Sequence, residues 1–144
     1  MERFRLIPES HLLLVREGQI LLLRRRNTDY EDGKYSVVAG HMEDGETARE
    51  AICREAREEA GIELAPDDLA FAHVVHRADR GQRVGFFFSA HRWRGEPRNM
   101  EPHKADELRW FPLEALPDAM VPYVRRAIEC WRAGACYSES GWNR

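Results

Sequence analysis

Two short apolar blocks near the start of the chain, His11–Val15 and Ile20–Arg25, flank the polar break Arg16-Glu17-Gly18-Gln19. Apolar runs joined by a glycine-containing polar break predict a β-hairpin. Asn27 to Gly33 is polar and ends in Asp32-Gly33, a loop signal, and Tyr35–Ala39 then reads as a short strand. The period changes after Thr47. Ala48, Ile52, Ala56 and Ala60 recur every four residues, the narrow apolar stripe of a helix packed closely on a sheet. Thr47 followed by Glu50 forms a capping-box pair that starts this helix. Gly61 supplies the left-handed residue that stops it.

Beyond Pro66-Asp67-Asp68, a turn, the pattern returns to strands at Ala70–His76 and Arg83–Trp93, separated by Asp79-Arg80-Gly81. Gly95-Glu96-Pro97 ends the second of these, and Leu108–Phe111 is a final short strand. Pro122 opens a second helix that closes at Gly134, with Val124, Ile128 and Trp131 along one side. Tyr137 to Arg144 reads as a loosely ordered tail. Mixed strands with two helices predict a single α/β domain in which helices cover a mixed sheet.

Composition narrows the function without choosing it. The 144 residues suffice for one hydrophobic core. A net charge of −3 disfavours a general nucleic-acid-binding role. No apolar run approaches the roughly 20 residues of a membrane span, and MERFRLIPES lacks the apolar centre of a signal peptide. Cys53, Cys130 and Cys136 lack zinc-type spacing and read as reduced thiols. A cytoplasmic location follows as the expectation.

The chemistry concentrates on the first helix. Glu55, Glu58 and Glu59 are three or four residues apart and share one helix face. Like charges at that spacing repel by roughly 0.2–0.5 kcal/mol per pair on an isolated helix. A divalent cation relieves that repulsion, and oxygen-only donors suit Mg²⁺ or Mn²⁺. The bland alternative is a solvated face held by pairs such as Glu50–Arg54 and Arg54–Glu58.

The wider window GHMEDGETAREAICREAREEAGI decides between these readings. Gly40, Glu46, Arg54, Glu55, Glu58, Glu59 and Gly61 stand at the spacing of the Nudix hydrolase signature, which this segment resembles, with Ala56 where a larger aliphatic is usual. The resemblance implies a Nudix fold, a mixed sheet sandwiched between helices (α/β/α), over residues 1–136, with 137–144 as the tail. It also implies hydrolysis of a nucleoside diphosphate linked to another group. Glu55, Glu58 and Glu59 then match the metal-binding glutamates, with Glu55 or Glu58 also a candidate base, and the Gly40 carbonyl adds a ligand. Arg54 orients the glutamates through a charge-assisted contact, and Glu46 ties loop to helix. The implied cofactor is Mg²⁺ or Mn²⁺. A homodimer is an expectation by analogy only.

Outside the signature, Trp93 to Glu101 resembles a loop of MutT-type members that carries an extra acid. Glu101 is the candidate, with Glu107 as its competitor. Arg24, Arg25 and Arg26 end a strand, and alternation puts Arg24 and Arg26 on one face. At least one is expected to meet substrate phosphate, with Arg24 or Arg26 favoured. His41 reads as a loop-ordering residue and Phe86 and Phe88 as core. His73 and His76 do not make a metal pair, while Tyr30, Tyr35 and Trp110 are candidates for a base-binding cleft. Markers of the ADP-ribose, diadenosine polyphosphate and NADH groups are absent from the segments where they would fall. Gly95-Glu96-Pro97, Glu101-Pro102 and Trp110-Phe111 resemble MutT-like (deoxy)nucleoside triphosphate pyrophosphohydrolases, which release NMP and pyrophosphate. Val38-Ala39 departs from the Pro-Gly frequent before Gly40. The alternatives are a nucleoside diphosphate sugar hydrolase and a non-catalytic nucleotide-binding sensor. The expected partner is a nucleotide small molecule, with no stable nucleic-acid or membrane binding.

Overall fold

The computed structural model describes residues 1–143. Eight strands form one mixed sheet: β1 (Ile7–Arg16), β2 (Gln19–Arg25), β3 (Tyr35–Ser36), β4 (Val38–His41), β5 (Ala70–Ala78), β6 (Gln82–Ala90), β7 (Ala105–Pro112) and β8 (Tyr137–Ser140). The main path runs β3-β2-β1-β6-β5-β8, with β4 joined to β1 and β7 to β2. The β1–β6 and β5–β8 pairs are parallel and the rest antiparallel. One edge of β1 serves two partners: Glu9 to Leu12 pair with β4, while Val15 and Arg16 pair with β2. The strands bearing the predicted loop and the predicted hairpin therefore meet at β1.

Alternation along β1 builds two cores at once, because successive side chains point to opposite faces. Leu12 and Leu14 join Ile52, Ala56, Ala60 and Phe88 under helix α1 (Ala48–Ala60). Leu13 joins Val75, Phe87, Val124 and Ile128 under helix α2 (Pro122–Arg132). The result is the α/β/α sandwich expected from the pattern. Helix α1 begins with the reciprocal Thr47–Glu50 capping box and ends at Gly61 with φ 67°. That left-handed conformation disfavours any residue with a Cβ. The Ala stripe is what lets α1 sit against β1 and β4, since small side chains permit close approach of helix and sheet.

Three sequence expectations are revised. Strand β6 stops at Ala90 rather than Trp93, because Arg94 instead exchanges two backbone hydrogen bonds with Glu63, each 3.0 Å. The expectation of a loosely ordered segment after Tyr137 fails for Tyr137–Ser140, which form β8. Buried His73 anchors them: its Nδ1–H donates to the Ala135 carbonyl, and the Ser138 hydroxyl donates to Nε2 at 2.8 Å. Arg144, also assigned to that tail, lies outside the described residues. Strand β7 is longer than predicted, starting at Ala105, where it pairs with Arg25 of β2. No helix among the described residues is long and apolar enough to cross a membrane.

Candidate functional site

A cavity of about 750 Å³ opens between α1, the β4 segment, the β5–β6 end of the sheet and the loop before β7. The capping box fixes where α1 starts and hence which residues face this cavity. Arg54, Glu55, Glu58 and Glu59 all line it, together with Gly40 and His41.

Arg54 is the hub of the acidic wall. Its Nε donates to Glu46 at 2.6 Å, Nη1 to Glu55 at 2.9 Å and to Glu58 at 3.2 Å, and Nη2 to the His41 carbonyl at 3.1 Å. Glu46 also accepts the Glu43 N–H at 2.8 Å, so one guanidinium links the loop, the helix and two further carboxylates. The Glu46 contact, foremost, drives the Arg54 pKa further up and the Glu46 pKa down. Charge-assisted bonds of this kind are the strong ones.

Glycine is required at position 40 by contact, not by φ. A Cβ there would fall 2.2 Å from Glu55 Oε1. The absent side chain is the space into which the Glu55 carboxylate fits. The Ala39 N–H points at Glu59 Oε1 at 3.4 Å. Burial first, then the adjoining Glu55 carboxyl, pushes the Glu59 pKa well above the usual carboxylate range, and Glu101 adds to it. Neighbouring carboxyl groups disfavour each other's charge, and a cation between them would relieve that repulsion. Among the described residues no three acids, histidines or cysteines are already closed into a cage around one point.

The two candidate acids, Glu101 in the loop and Glu107 in β7, separate cleanly. Glu101 lines the cavity, its backbone N–H held by Asn99 Oδ1 at 3.0 Å. Glu107 does not line it; its carboxylate accepts from the Tyr35 hydroxyl at 2.8 Å and from Arg109 at 3.2 Å. Arg24 pairs with Asp106 at 2.7 Å and Arg26 also lies outside the lining, whereas Arg25 faces the cavity. Alternation along β2 puts Arg25 on the face of Leu21 and Leu23, which pack under α1, and Arg24 on the face of Leu22, so Arg25 is the one that turns to the cavity. Of the aromatic candidates, Tyr30 lines the cavity. Tyr35 is buried against Phe111, and Trp110 stacks on Trp93 elsewhere.

Sequence reading missed the opposite, cationic wall of Arg77, Arg80, Arg83 and Lys104, with Glu9, His11 and Tyr123 beneath it. Glu9 accepts from Arg77 at 2.9 Å and from Arg83 at 3.0 Å. Burial opposes the Glu9 charge, but His11, Arg77 and Arg83 outweigh it and lower its pKa. Glu9 and Arg77 lie just outside the strands read from the sequence, His11–Val15 and Ala70–His76, and enter β1 and β5 only in the folded protein. Buried charges of that kind are paired, yet sequence does not show with what.

The model of the family described as NUDIX domain matches residues 9–130. A protein of Stutzerimonas stutzeri described as NAD-capped RNA hydrolase NudC is 32% identical over 131 residues, covering 90% of this chain and 45% of the relative. The chain thus spans less than half the length of that relative. An RNA pyrophosphohydrolase of Rhizobium meliloti is 30% identical over 138 residues, covering 81% of each chain. Among solved structures, a MutT NUDIX hydrolase from Burkholderia pseudomallei superposes with a TM-score of 0.80 at 32% identity, covering 88% of this chain and 98% of the other.

Proposed function

Because this chain belongs to the NUDIX domain family, we propose that it hydrolyses a nucleoside diphosphate bonded to a further group, with Mg²⁺ or Mn²⁺ as cofactor. Within that class the leading substrate is a (deoxy)nucleoside triphosphate, giving monophosphate and pyrophosphate. The observation that carries the reading is the convergence of Glu55, Glu58, Glu59 and Glu101 on one cavity, with Glu55 seated in the space beside Gly40 and held by Arg54. This donor set is all oxygen, as hard divalent cations require.

Glu55, Glu58, Glu59 and the Gly40 carbonyl are the groups that would hold the cation. When bound, it screens the substrate phosphates and activates water. Arg54 bonds Glu55 and Glu58 from one guanidinium nitrogen, so the mostly buried Glu55 and the half-exposed Glu58 are oriented together. Glu55 or Glu58 accepts the proton of the attacking water, provided it lies within hydrogen-bond reach. Glu101 faces the same space from the loop side and serves as the further acid. The arginine wall opposite meets the anionic substrate.

A second reading rests on the relatives' descriptions, which name NAD-capped RNA and RNA as substrates of those proteins. The deciding experiment is a panel of nucleoside triphosphates, ADP-ribose, NAD-capped RNA and 5′-triphosphorylated RNA with Mg²⁺ or Mn²⁺, following released phosphate, pyrophosphate and monophosphate. Triphosphates cleaved fastest support the leading reading. Triphosphates left intact while ADP-ribose is cut favour the nucleoside diphosphate sugar class, and capped or triphosphorylated RNA cut fastest favours the RNA reading. Binding without turnover across the panel overturns the enzyme assignment.

A further inference from the structure

The cavity is bipolar, with the glutamates on one side and the arginines on the other, and His41 stands between them, its carbonyl bonded by Arg54 and its ring 3.2 Å from Arg83. Neighbouring strands are about 4.8 Å apart, so the backbones of β4, against which α1 packs, and β5 are about 14 Å apart across β1 and β6. At the far end the ring of Tyr30 is approached by three guanidinium groups: Arg25 at 5.3 Å, Arg80 at 5.7 Å and Arg77 at 5.9 Å from its centroid. Arg77 and Arg83 share Glu9, and Arg77 also donates to Asp79 at 2.8 Å, so these two charges are met by two carboxylates.

Arg25 and Arg80 differ. Arg25 donates to the Tyr30 carbonyl and to Thr28 Oγ1, and Arg80 to the Asp29 carbonyl, all uncharged oxygens. Asp32 lies behind Thr28, whose N–H and hydroxyl donate to it, and does not line the cavity. The Arg77 side chain is 6% exposed, and its Nε is buried with no acceptor. Such an orphan donor is costly to keep. The cavity end therefore combines two guanidinium groups whose hydrogen bonds go to neutral oxygens, Arg25 also feeling the Asp32 charge through space, with the buried Arg77 guanidinium behind them. Guanidinium groups of this kind recognise phosphate oxygens in pairs.

On the reading that the glutamate end cuts a diphosphate, we propose that the Arg25–Arg80–Arg77 end is a second phosphate subsite. It selects substrates that carry another phosphate on the nucleoside, remote from the bond that is broken. That phosphate has two sources, a monoester on the ribose of a small nucleotide or the next phosphodiester of an RNA chain.

Two matched pairs separate them: ADP-ribose against its 2′-phosphorylated form, and ATP against a 5′-triphosphorylated RNA dinucleotide. In the wild-type protein the phosphorylated member of at least one pair is expected to show a KM about 10-fold lower, the worth of one good charge-assisted contact. Arg80→Met, at an exposed position outside the buried ion pairs, is expected to shrink that ratio to within about 2-fold. A metal-free measurement stands beside the kinetics: 3′-AMP titrated in EDTA by calorimetry should bind the wild type about 10-fold tighter than Arg80→Met. The pair that responds identifies the source. Equal KM values within both pairs, or equal 3′-AMP binding by both proteins, overturn the subsite and leave the hydrolase reading standing. No hydrolysis of any member overturns that reading, and the EDTA titration then still decides the subsite.

Discussion

Beneath the cationic wall, His11 offers a test of the packing in which the perturbation is a proton. The residue is 1% exposed and its ring stacks on Phe87 at 4.1 Å. Nδ1 lies 3.2 Å from the Phe86 carbonyl, and Nε2 lies 2.8 Å from the Tyr123 hydroxyl. A carbonyl only accepts, so Nδ1 carries the hydrogen and Nε2 accepts from Tyr123. A second proton on Nε2 would displace that bond in a place where Arg77 sits 4.0 Å from the Tyr123 ring. Burial is the largest influence and outweighs the favourable Glu9 charge, lowering the His11 pKa from 6.5 to about 4. Unfolded, the same imidazole titrates near 6.5. Between these values the unfolded chain binds more protons, so acidification destabilises the fold. The effect is absent above pH 6.5, reaches about 2 kcal/mol by pH 5, and amounts to about 3 kcal/mol once the pH falls below 4. Glu9, with its lowered pKa, adds a loss of the same sign at still lower pH. Glu59, with its raised pKa, works in the opposite direction. The comparison is therefore between wild type and His11→Gln, a side chain that can keep both hydrogen bonds but does not titrate. Urea unfolding at pH 7, 6 and 5 should show the wild-type midpoint falling by about 1 M more than that of the variant, for a denaturant slope of about 2 kcal/mol per molar. Parallel midpoints down to pH 5 would refute the buried, neutral assignment.

Four further outcomes follow from the acidic wall. Glu55→Gln and Glu58→Gln should each lower turnover at least about 100-fold with unchanged circular dichroism, in line with general-base contributions; near-normal rates in both would remove them from the chemistry. Gly40→Ala places a methyl 2.2 Å from Glu55 Oε1, so kcat should drop about 100-fold through misplacement of that carboxylate. The melting temperature should meanwhile move only a few degrees, since a side-chain end can yield; a full-rate variant contradicts the contact. Glu59→Gln removes a carboxylate that burial and Glu55 disfavour. The metal-free protein should gain about 0.5–2 kcal/mol at neutral pH, as is common where function costs stability, and Mg²⁺ should no longer raise its melting temperature; a less stable variant argues against the strained pair. Glu101→Ala should weaken the Mg²⁺ dependence of rate while Glu107→Ala leaves it intact, because only Glu101 lines the cavity, and the reverse pattern would exchange their roles.

What the sequence settled by itself is local. The extent of α1 is written in Thr47, Glu50 and Gly61, since a capping box and a left-handed stop act within a few residues. The common face of Glu55, Glu58 and Glu59 follows from helical spacing alone. The apolar blocks His11–Val15 and Ile20–Arg25 around Arg16-Glu17-Gly18-Gln19 marked the first hairpin, which the β1–β2 pair realises. What tertiary structure decided depends on register between segments far apart in the chain. Gly40 reads as a signature position, but its reason is a carboxylate from residue 55 occupying its empty side. Arg25, not Arg24 or Arg26, faces the cavity because it shares the face of Leu21 and Leu23, the side of β2 that tertiary packing puts under α1. Tyr137–Ser140 look like a polar tail until His73 and Ser138 meet across the parallel β5–β8 pair. The arginine wall is the strongest case. Arg77 and Arg83 become neighbours by the β5–β6 pairing, and both reach Glu9 because β1 lies beside β6. No periodicity within one segment encodes that meeting; strand pairing over 68 residues of chain, from Glu9 to Arg77, brings it about.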